Sequence, residues 1–397
     1  MNPAPVTSNR SLTFILLLGG TVLGLAGTDL VLPAIPNLPD SLSGSIEQAQ
    51  LVLATYAAGS GIGLLLFGEL GARFDHRRLL IASLGSFALL SALATLTESV
   101  LQLVAIRFLQ GFSGAAAAVF APGMIRKMFS EVGALRALGL MGSVESIVPA
   151  LAPVLGAWLL LRFDWRASFV LIAVLAGALA LVWVAVPKLL PSVQSTRSQQ
   201  GYRTLMANPS FQRHALSQAL SLGGLLAFVF GAPTVVTRVM GGSLSDFVIM
   251  QVIGISFYIV SANLAGRTVA RFGAERMVLF GSIMCATGFG LIAVYALIDG
   301  SNPKMLWGLF LIANLGLGLR GPPGFYAAVV AAGDNDARGA ALMLLYVLLT
   351  AALGTAAVAP FIEWGLLPLS GAALLITLGS VVTLRVIQEP ESPSASE

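Results

Sequence analysis

A chain of 397 residues in which 57% are hydrophobic and only 10% charged has too little polar surface to cover a water-soluble globule of that size. Its mean hydropathy of +0.89 marks an integral membrane protein. At about 20 residues per crossing, roughly a dozen helices leave room for short loops and for no sizeable soluble domain. The formal charge of +4 comes largely from loop residues on one side, which removes its apparent hint of a nucleic-acid partner.

The single cysteine, Cys285, lies in an apolar run, which excludes an internal disulfide and a multi-cysteine metal site. His76 and His214 sit beside basic loop residues, so no histidine-based metal or catalytic centre is expected, and no cofactor.

The first apolar run starts at Leu12 and continues without a small-residue cleavage site, so it reads as a retained span rather than a signal peptide. Apolar runs against charged breaks predict twelve spans, near 11–34, 48–70, 77–97, 99–125, 137–162, 166–187, 211–238, 244–268, 276–298, 303–330, 337–361 and 364–387. With a cytoplasmic amino terminus, basic residues from Arg10, Arg73 and Arg78 to Arg338 and Arg385 all fall inside. Only Arg162, Arg166, Arg238 and Lys304 fall outside. The positive-inside rule therefore places both termini in the cytoplasm.

The longest polar interruption lies at mid-chain and reads as a linker, 188–210, between six-helix bundles at 1–187 and 211–397. Internal similarity supports two halves. Gly68-Glu-Leu-Gly-Ala-Arg-Phe-Asp-His-Arg-Arg78 follows the second span and Gly266-Arg-Thr-Val-Ala-Arg-Phe-Gly-Ala-Glu-Arg276 follows the eighth, matching at Gly, Ala, Arg, Phe and Arg. Phe120-Ala-Pro-Gly123 and Gly321-Pro-Pro-Gly324 are expected to break the fourth and tenth spans near their cytoplasmic ends. Two repeated six-span halves match the secondary-transporter pattern, with a substrate site at the repeat interface.

One arginine, Arg107, stands inside the fourth apolar run. Gln110, Gly111, Gly114 and Ala118 follow at helical spacing, so charge, amide and a small-residue groove share one face. A guanidinium near the bilayer centre costs roughly 2.5 to 3.5 kcal/mol on insertion scales, so that face looks inward. Two readings stand: a functional cation lining a cavity, or a structural arginine locked to backbone carbonyls.

The Gly68–Arg78 loop, Arg107-Phe-Leu-Gln-Gly111 and Val148-Pro-Ala-Leu-Ala-Pro-Val-Leu-Gly156 resemble three signature motifs of major facilitator superfamily drug/proton antiporters. Thr28-Asp-Leu-Val-Leu-Pro-Ala-Ile-Pro36 and the stretch ending Phe228-Val-Phe-Gly-Ala-Pro233 are most similar to the bicyclomycin/chloramphenicol-resistance (Bcr/CflA) group. The resemblance covers nearly the whole chain. It implies an all-α membrane protein of two pseudo-symmetric six-helix bundles and a proton-coupled exporter working by alternating access in the inner membrane. Its partners would be protons, a small-molecule substrate and the bilayer, and the chain would act as a monomer. It also implies that Gly68, Arg73, Asp75 and Arg78 form a conformational latch, that Gly111 closes a second conformational motif, and that Pro149, Pro153 and Gly156 govern bending of the fifth span. The chain departs from the family pattern at Ala72, where an aspartate is usual, at Asp75 for glycine, at Leu64 for a glutamine and at Thr21 for a glutamate found in some members.

Among buried charges, Asp29 lies roughly 27 Å along the first span, at a depth similar to Arg107, where the two could meet across the cavity of the first half. Such an acid either exchanges protons as substrate enters or forms a permanent structural pair. Glu145 shares a face of the fifth span with Gly142, Ser146, Pro149, Pro153 and Gly156, a face suited to a pivot between halves. It reads as a substrate carboxylate, a second proton site or a partner for Arg320. Arg320 either snorkels to the cytoplasmic interface or binds an anionic group. Tyr56, Gln218, Tyr258 and Asn314 complete the candidate substrate-binding set, with Gln251, Asn263 and Tyr346 as further polar residues.

No nucleophile–base pair, metal cluster or phosphate loop supports an enzyme. No repeated pore loop or charged ring supports a channel. The contest is between export of lipophilic drugs, which needs an apolar cavity with one acid, and export of a defined metabolite such as a metallophore, which calls for added cations such as Arg320.

Overall fold

The computed structural model describes residues 7–71, 73–129, 131–191, 202–333 and 336–387. Ala72 and the linker stretch 192–201 lie outside these described residues, as does the side chain of Ser146. Among the described residues twelve helices are long and apolar enough to cross a membrane, and there is no sheet. The protein is therefore a multi-pass membrane protein. The chain divides into two compact units, Met1–Arg197 and Ser198–Glu397.

In the first unit the spans are Thr7–Asp29, Ile46–Gly71, His76–Ala94, Val100–Met128, Glu131–Arg162 and Arg166–Ala185. In the second they are Pro209–Thr234, Leu244–Phe272, Ala274–Leu297, Met305–Ala331, Asp336–Val358 and Leu366–Val386. They are called spans one to twelve below. Within the first unit span four packs along span two and against spans one and three, while span three meets span six. Within the second, span ten packs along span eight and against spans seven and nine, and span nine meets span twelve. The sequence repeat is thus also a repeat of packing.

Span boundaries agree with the hydropathy reading to within a few residues, except that span five starts six residues earlier, at Glu131, and that spans one, seven and eleven end as α-helix before the expected position. The α-helix of span one stops at Asp29, and a buried 3₁₀ turn, Leu32–Asn37, follows. Pro33 has no N–H to donate back to the Asp29 carbonyl, and Pro36 repeats the defect one turn on, so the predicted helix to residue 34 cannot close. Span seven carries Pro233 and passes into a π-helical turn, Val235–Val239. Span eleven gives way to a 3₁₀ turn, Ala359–Trp364, at Pro360.

The opposite correction applies to the two Pro-Gly motifs. Spans four and ten run unbroken through Pro122 and through Pro322 and Pro323. Each proline removes one rung, and the surrounding rungs with their packing carry the helix across.

Glycine spacing sets the interhelical distance in the first unit. A Cβ on Gly111 would collide with the Tyr56 carbonyl, and the Ser60 hydroxyl donates to the Gly111 carbonyl at 3.1 Å. A Cβ on Gly114 would lie 3.1 Å from the Tyr56 hydroxyl, 3.3 Å from the Phe87 ring and 3.5 Å from Gly24, so that position faces spans two, three and one. Ala118 is exposed. The expected single groove is therefore shared among three neighbouring spans and an open face. Gly111→Val is expected to destabilise the protein by about 3 kcal/mol, the scale of an overpacked core. A melting curve of purified protein in detergent matching that of wild type would remove the close approach as its reason.

The Gly68–Arg78 loop is held within its own unit. Asp75 caps span three by accepting from the Arg77 N–H at 3.3 Å, and the Arg77 guanidinium donates to the Leu190 carbonyl. His76 stacks on Phe120 at 4.7 Å, and its Nε2 bonds the Gly71 carbonyl at 3.0 Å, fastening the end of span two to the start of span three. Gly68 is half-buried, and Arg73 and Arg78 are exposed.

Candidate functional site

Span one ends early, so its last carbonyls lack helical donors. One of them, Gly27, accepts from Arg107 Nη1 at 2.9 Å. The same guanidinium donates through Nε to the Val52 carbonyl of span two at 3.2 Å and through Nη1 to Gln110 Oε1 at 3.2 Å. It lies 4.0 Å from the centroid of the Tyr56 ring, whose hydroxyl donates to the Gly24 carbonyl at 2.6 Å. Gln110 passes the chain on, its Nε2 donating to the Ser91 hydroxyl of span three at 2.8 Å. Phe169 of span six stands 5.8 Å from the guanidinium carbon.

Arg107 is fully buried, and carbonyl dipoles, a π face and the negative end of the span-one dipole stabilise its charge. Tyr56, Arg107 and Gln110 are therefore brought together, and five spans converge on one cation. Asp29 interacts electrostatically with Tyr56 at the edge of that cluster but makes no ion pair with Arg107. Among the described residues the ion pairs within 4.0 Å are Arg166–Asp164 and Arg213–Glu275, so the expected meeting of Asp29 with Arg107 is not formed. The cause is local: the carbonyl two residues before the carboxylate already occupies the guanidinium. Asp29 stays half-buried at the helix end, and its carboxylate makes no hydrogen bond among the described residues.

Glu145, in span five, is half-buried, and its carboxyl is set against the Thr21 hydroxyl of span one. Farther along span five, a Cβ on Gly156 would strike the Leu30 carbonyl, which also accepts from Ser168 at 3.0 Å. Gly156 thus closes span five onto span one immediately beyond Asp29. Pro149 and Pro153 lie inside a continuous helix, Glu131–Arg162.

In the second unit Arg320 corrects one expectation. It does not snorkel: it is fully buried and donates to Gln218 Oε1 at 2.8 Å and to Ser217 Oγ at 3.0 Å, both on span seven. Ser217 pairs with Ser380 at 2.9 Å, Ser221 donates to Ser380 at 2.8 Å, and Ser380 reaches Ser282 at 3.4 Å. This serine cluster, joining spans seven, nine and twelve, was missed in the sequence, although Ser217 and Ser221 at i and i+4 were its signal. Asn314 bonds the Phe310 carbonyl of its own helix at 3.0 Å, and Tyr258 is half-buried. Neither joins the Arg320 cluster. An apolar groove of about 640 Å³ bordered by His214, Pro322 and Tyr326 opens beside spans seven, eight and ten.

Two helical units, each holding a fully buried arginine in a bundle of membrane-spanning helices, make a polytopic all-α membrane fold. Residues 17–359 match the model of the Major Facilitator Superfamily, and the chain belongs to that family of small-molecule transporters. It is 28% identical over 312 residues to a bicyclomycin resistance protein homolog of Haemophilus influenzae, covering 76% of this chain and 78% of that one. It is 27% identical over 286 residues to a chloramphenicol resistance protein of Pseudomonas aeruginosa, covering 71% and 68%. Its fold is similar to the crystal structure of a D-xylose-proton symporter, with a TM-score of 0.68 at 17% identity, covering 96% of this chain and 98% of that one.

Proposed function

We propose that this protein exports small lipophilic molecules across the bacterial inner membrane in exchange for protons, by alternating access, as a monomer with both termini in the cytoplasm. Asp29 is the proton carrier in this reading, with Arg107 as the fixed cation beside it and Glu145 as the rival carrier. Tyr56, Gln110, Gln218, Tyr258, Asn314 and Arg320 complete the proposed transport machinery. The carrying observation is the placement of Asp29: an intramembrane carboxylate at a helix end, half-buried, with its neighbouring cation engaged elsewhere. Similarity to proteins named for bicyclomycin and chloramphenicol resistance supports the substrate class.

The test is uptake of chloramphenicol into inverted vesicles energised by an imposed proton gradient. Accumulation that collapses with an uncoupler is expected, and accumulation indifferent to the uncoupler overturns proton coupling. The topology has its own check. Reporter fusions after Lys188 and after Arg385 are both expected to report cytoplasm, and a periplasmic signal from either overturns the orientation.

A further inference from the structure

Both units pair a buried arginine with a glutamine, and the pairs differ at one atom. In the first, Gln110 is consumed: its oxygen accepts from Arg107 and its nitrogen donates to Ser91, with the side chain fully buried. In the second, the oxygen of Gln218 accepts from Arg320, while its nitrogen makes no hydrogen bond among the described residues. That nitrogen is not sealed off, for Gln218 retains 6% exposure and its nitrogen is not a fully buried atom.

The orientation of this amide is not arbitrary. A guanidinium has donors only, so the atom facing it must be the carbonyl oxygen, and the NH₂ is turned away. Gly324 lies beside the pair. A Cβ there would stand 3.0 Å from Gln218 Oε1 and 3.2 Å from Arg320 Nη2, so glycine keeps that flank uncrowded. One turn before Gln218 on the same face of span seven is His214, at the border of the apolar groove.

We propose that Gln218 is a hydrogen-bond-donor subsite for a neutral lipophilic substrate bearing an oxygen acceptor such as a carbonyl or nitro group, and that Arg320 is the positioning residue that aims it. This rests on the exporter reading and narrows its substrate class. The donor edge of the amide and the charge behind it favour the negative end of a substrate dipole and disfavour a cation. A ligand without an acceptor gains nothing at this point.

Gln218→Glu isolates the donor. It preserves the shape and offers Arg320 a charged partner, but it places an acceptor where the donor was. Binding of radiolabelled chloramphenicol, which carries amide and nitro oxygens, and of tetraphenylphosphonium, a cation without an acceptor, is measured on the purified full-length protein. Chloramphenicol is expected to bind at least about tenfold more weakly to the variant, the scale of one lost hydrogen bond. Tetraphenylphosphonium is expected to bind no more weakly, and the melting temperature to be undiminished. Equal chloramphenicol affinity in variant and wild type overturns the donor assignment and leaves the exporter reading standing. Arg320→Lys keeps the charge without the fork, and it is expected to relax the preference for the acceptor-bearing ligand; an unchanged preference removes the positioning role.

A second arm needs no drug. Gln218→Cys is expected to react with a charged methanethiosulfonate reagent, with wild type, whose Cys285 is fully buried, as the silent control. Failure to label overturns the subsite whatever the ligands do. Labelling together with a wild type that binds neither compound upholds the accessible position and counts against the exporter reading alone.

Discussion

Replacing Arg107 with alanine is expected to abolish transport and to lower the folding stability by about 3 kcal/mol, the lower range for removing one member of a buried charged network. The substitution strips the donor from the Gly27 and Val52 carbonyls and from Gln110 Oε1, in a site closed to water. Arg107→Lys is expected to lose most transport as well, since one compact ammonium cannot span two backbone carbonyls on different helices and an amide at once. Thermal unfolding in detergent, paired with vesicle transport, reads both effects. A lysine variant that melts and transports like wild type would show that Arg107 acts only as a point charge.

Asp29→Asn is expected to eliminate proton-driven export while leaving substrate binding and folding largely intact. No salt bridge is lost, because none is formed, and asparagine is nearly isosteric. The driving force is adequate for an exchanger: one charge crossing 100 mV supplies about 2.3 kcal/mol, roughly a fifty-fold gradient. The discriminating measurement is proton release on addition of substrate to purified protein at several pH values. Wild type should release protons, Asp29→Asn should not, and Glu145→Gln should. If Asp29→Asn releases a proton and Glu145→Gln does not, the carrier is Glu145.

How much of this was legible in the sequence varies with the physics involved. The span positions were legible because twenty-residue apolar runs separated by charged loops admit few alternatives in a bilayer. The inward position of Arg107 was legible too, since lipid does not tolerate an exposed guanidinium. Its partners were not. Hydrophobic periodicity places a side chain on a face, but it does not show that the span-one helix would end at Asp29, with the Val31 N–H turned to the Thr28 carbonyl and the Gly27 carbonyl left as an acceptor. That one helix end explains why the expected Asp29–Arg107 pair is replaced by an arginine–carbonyl bond. Of the two readings of Arg320, the snorkelling one fails for a related reason: its distance along the span put it near the interface, whereas Gln218 and Ser217 offered it neutral acceptors in the interior. The serine cluster escaped notice because small hydroxyls inside apolar helices resemble ordinary packing residues until their partners on other spans are known.

The bond from Arg107 to Gly27 joins residues 80 positions apart, and this has a bearing on biogenesis. Span one emerges from the ribosome first, with a proline-interrupted end at which the Ala26 and Thr28 carbonyls accept from Leu30 and Val31 but the Gly27 carbonyl has no local donor. The donor arrives only after spans two and three have been made and span four has entered the membrane. A nascent chain ending before Val100 therefore carries the Gly27 carbonyl at the C-terminal end of span one without its partner, in a medium that supplies little water to satisfy it. Until span four inserts, the first half of the protein is an unfinished surface for membrane chaperones and proteases to act upon.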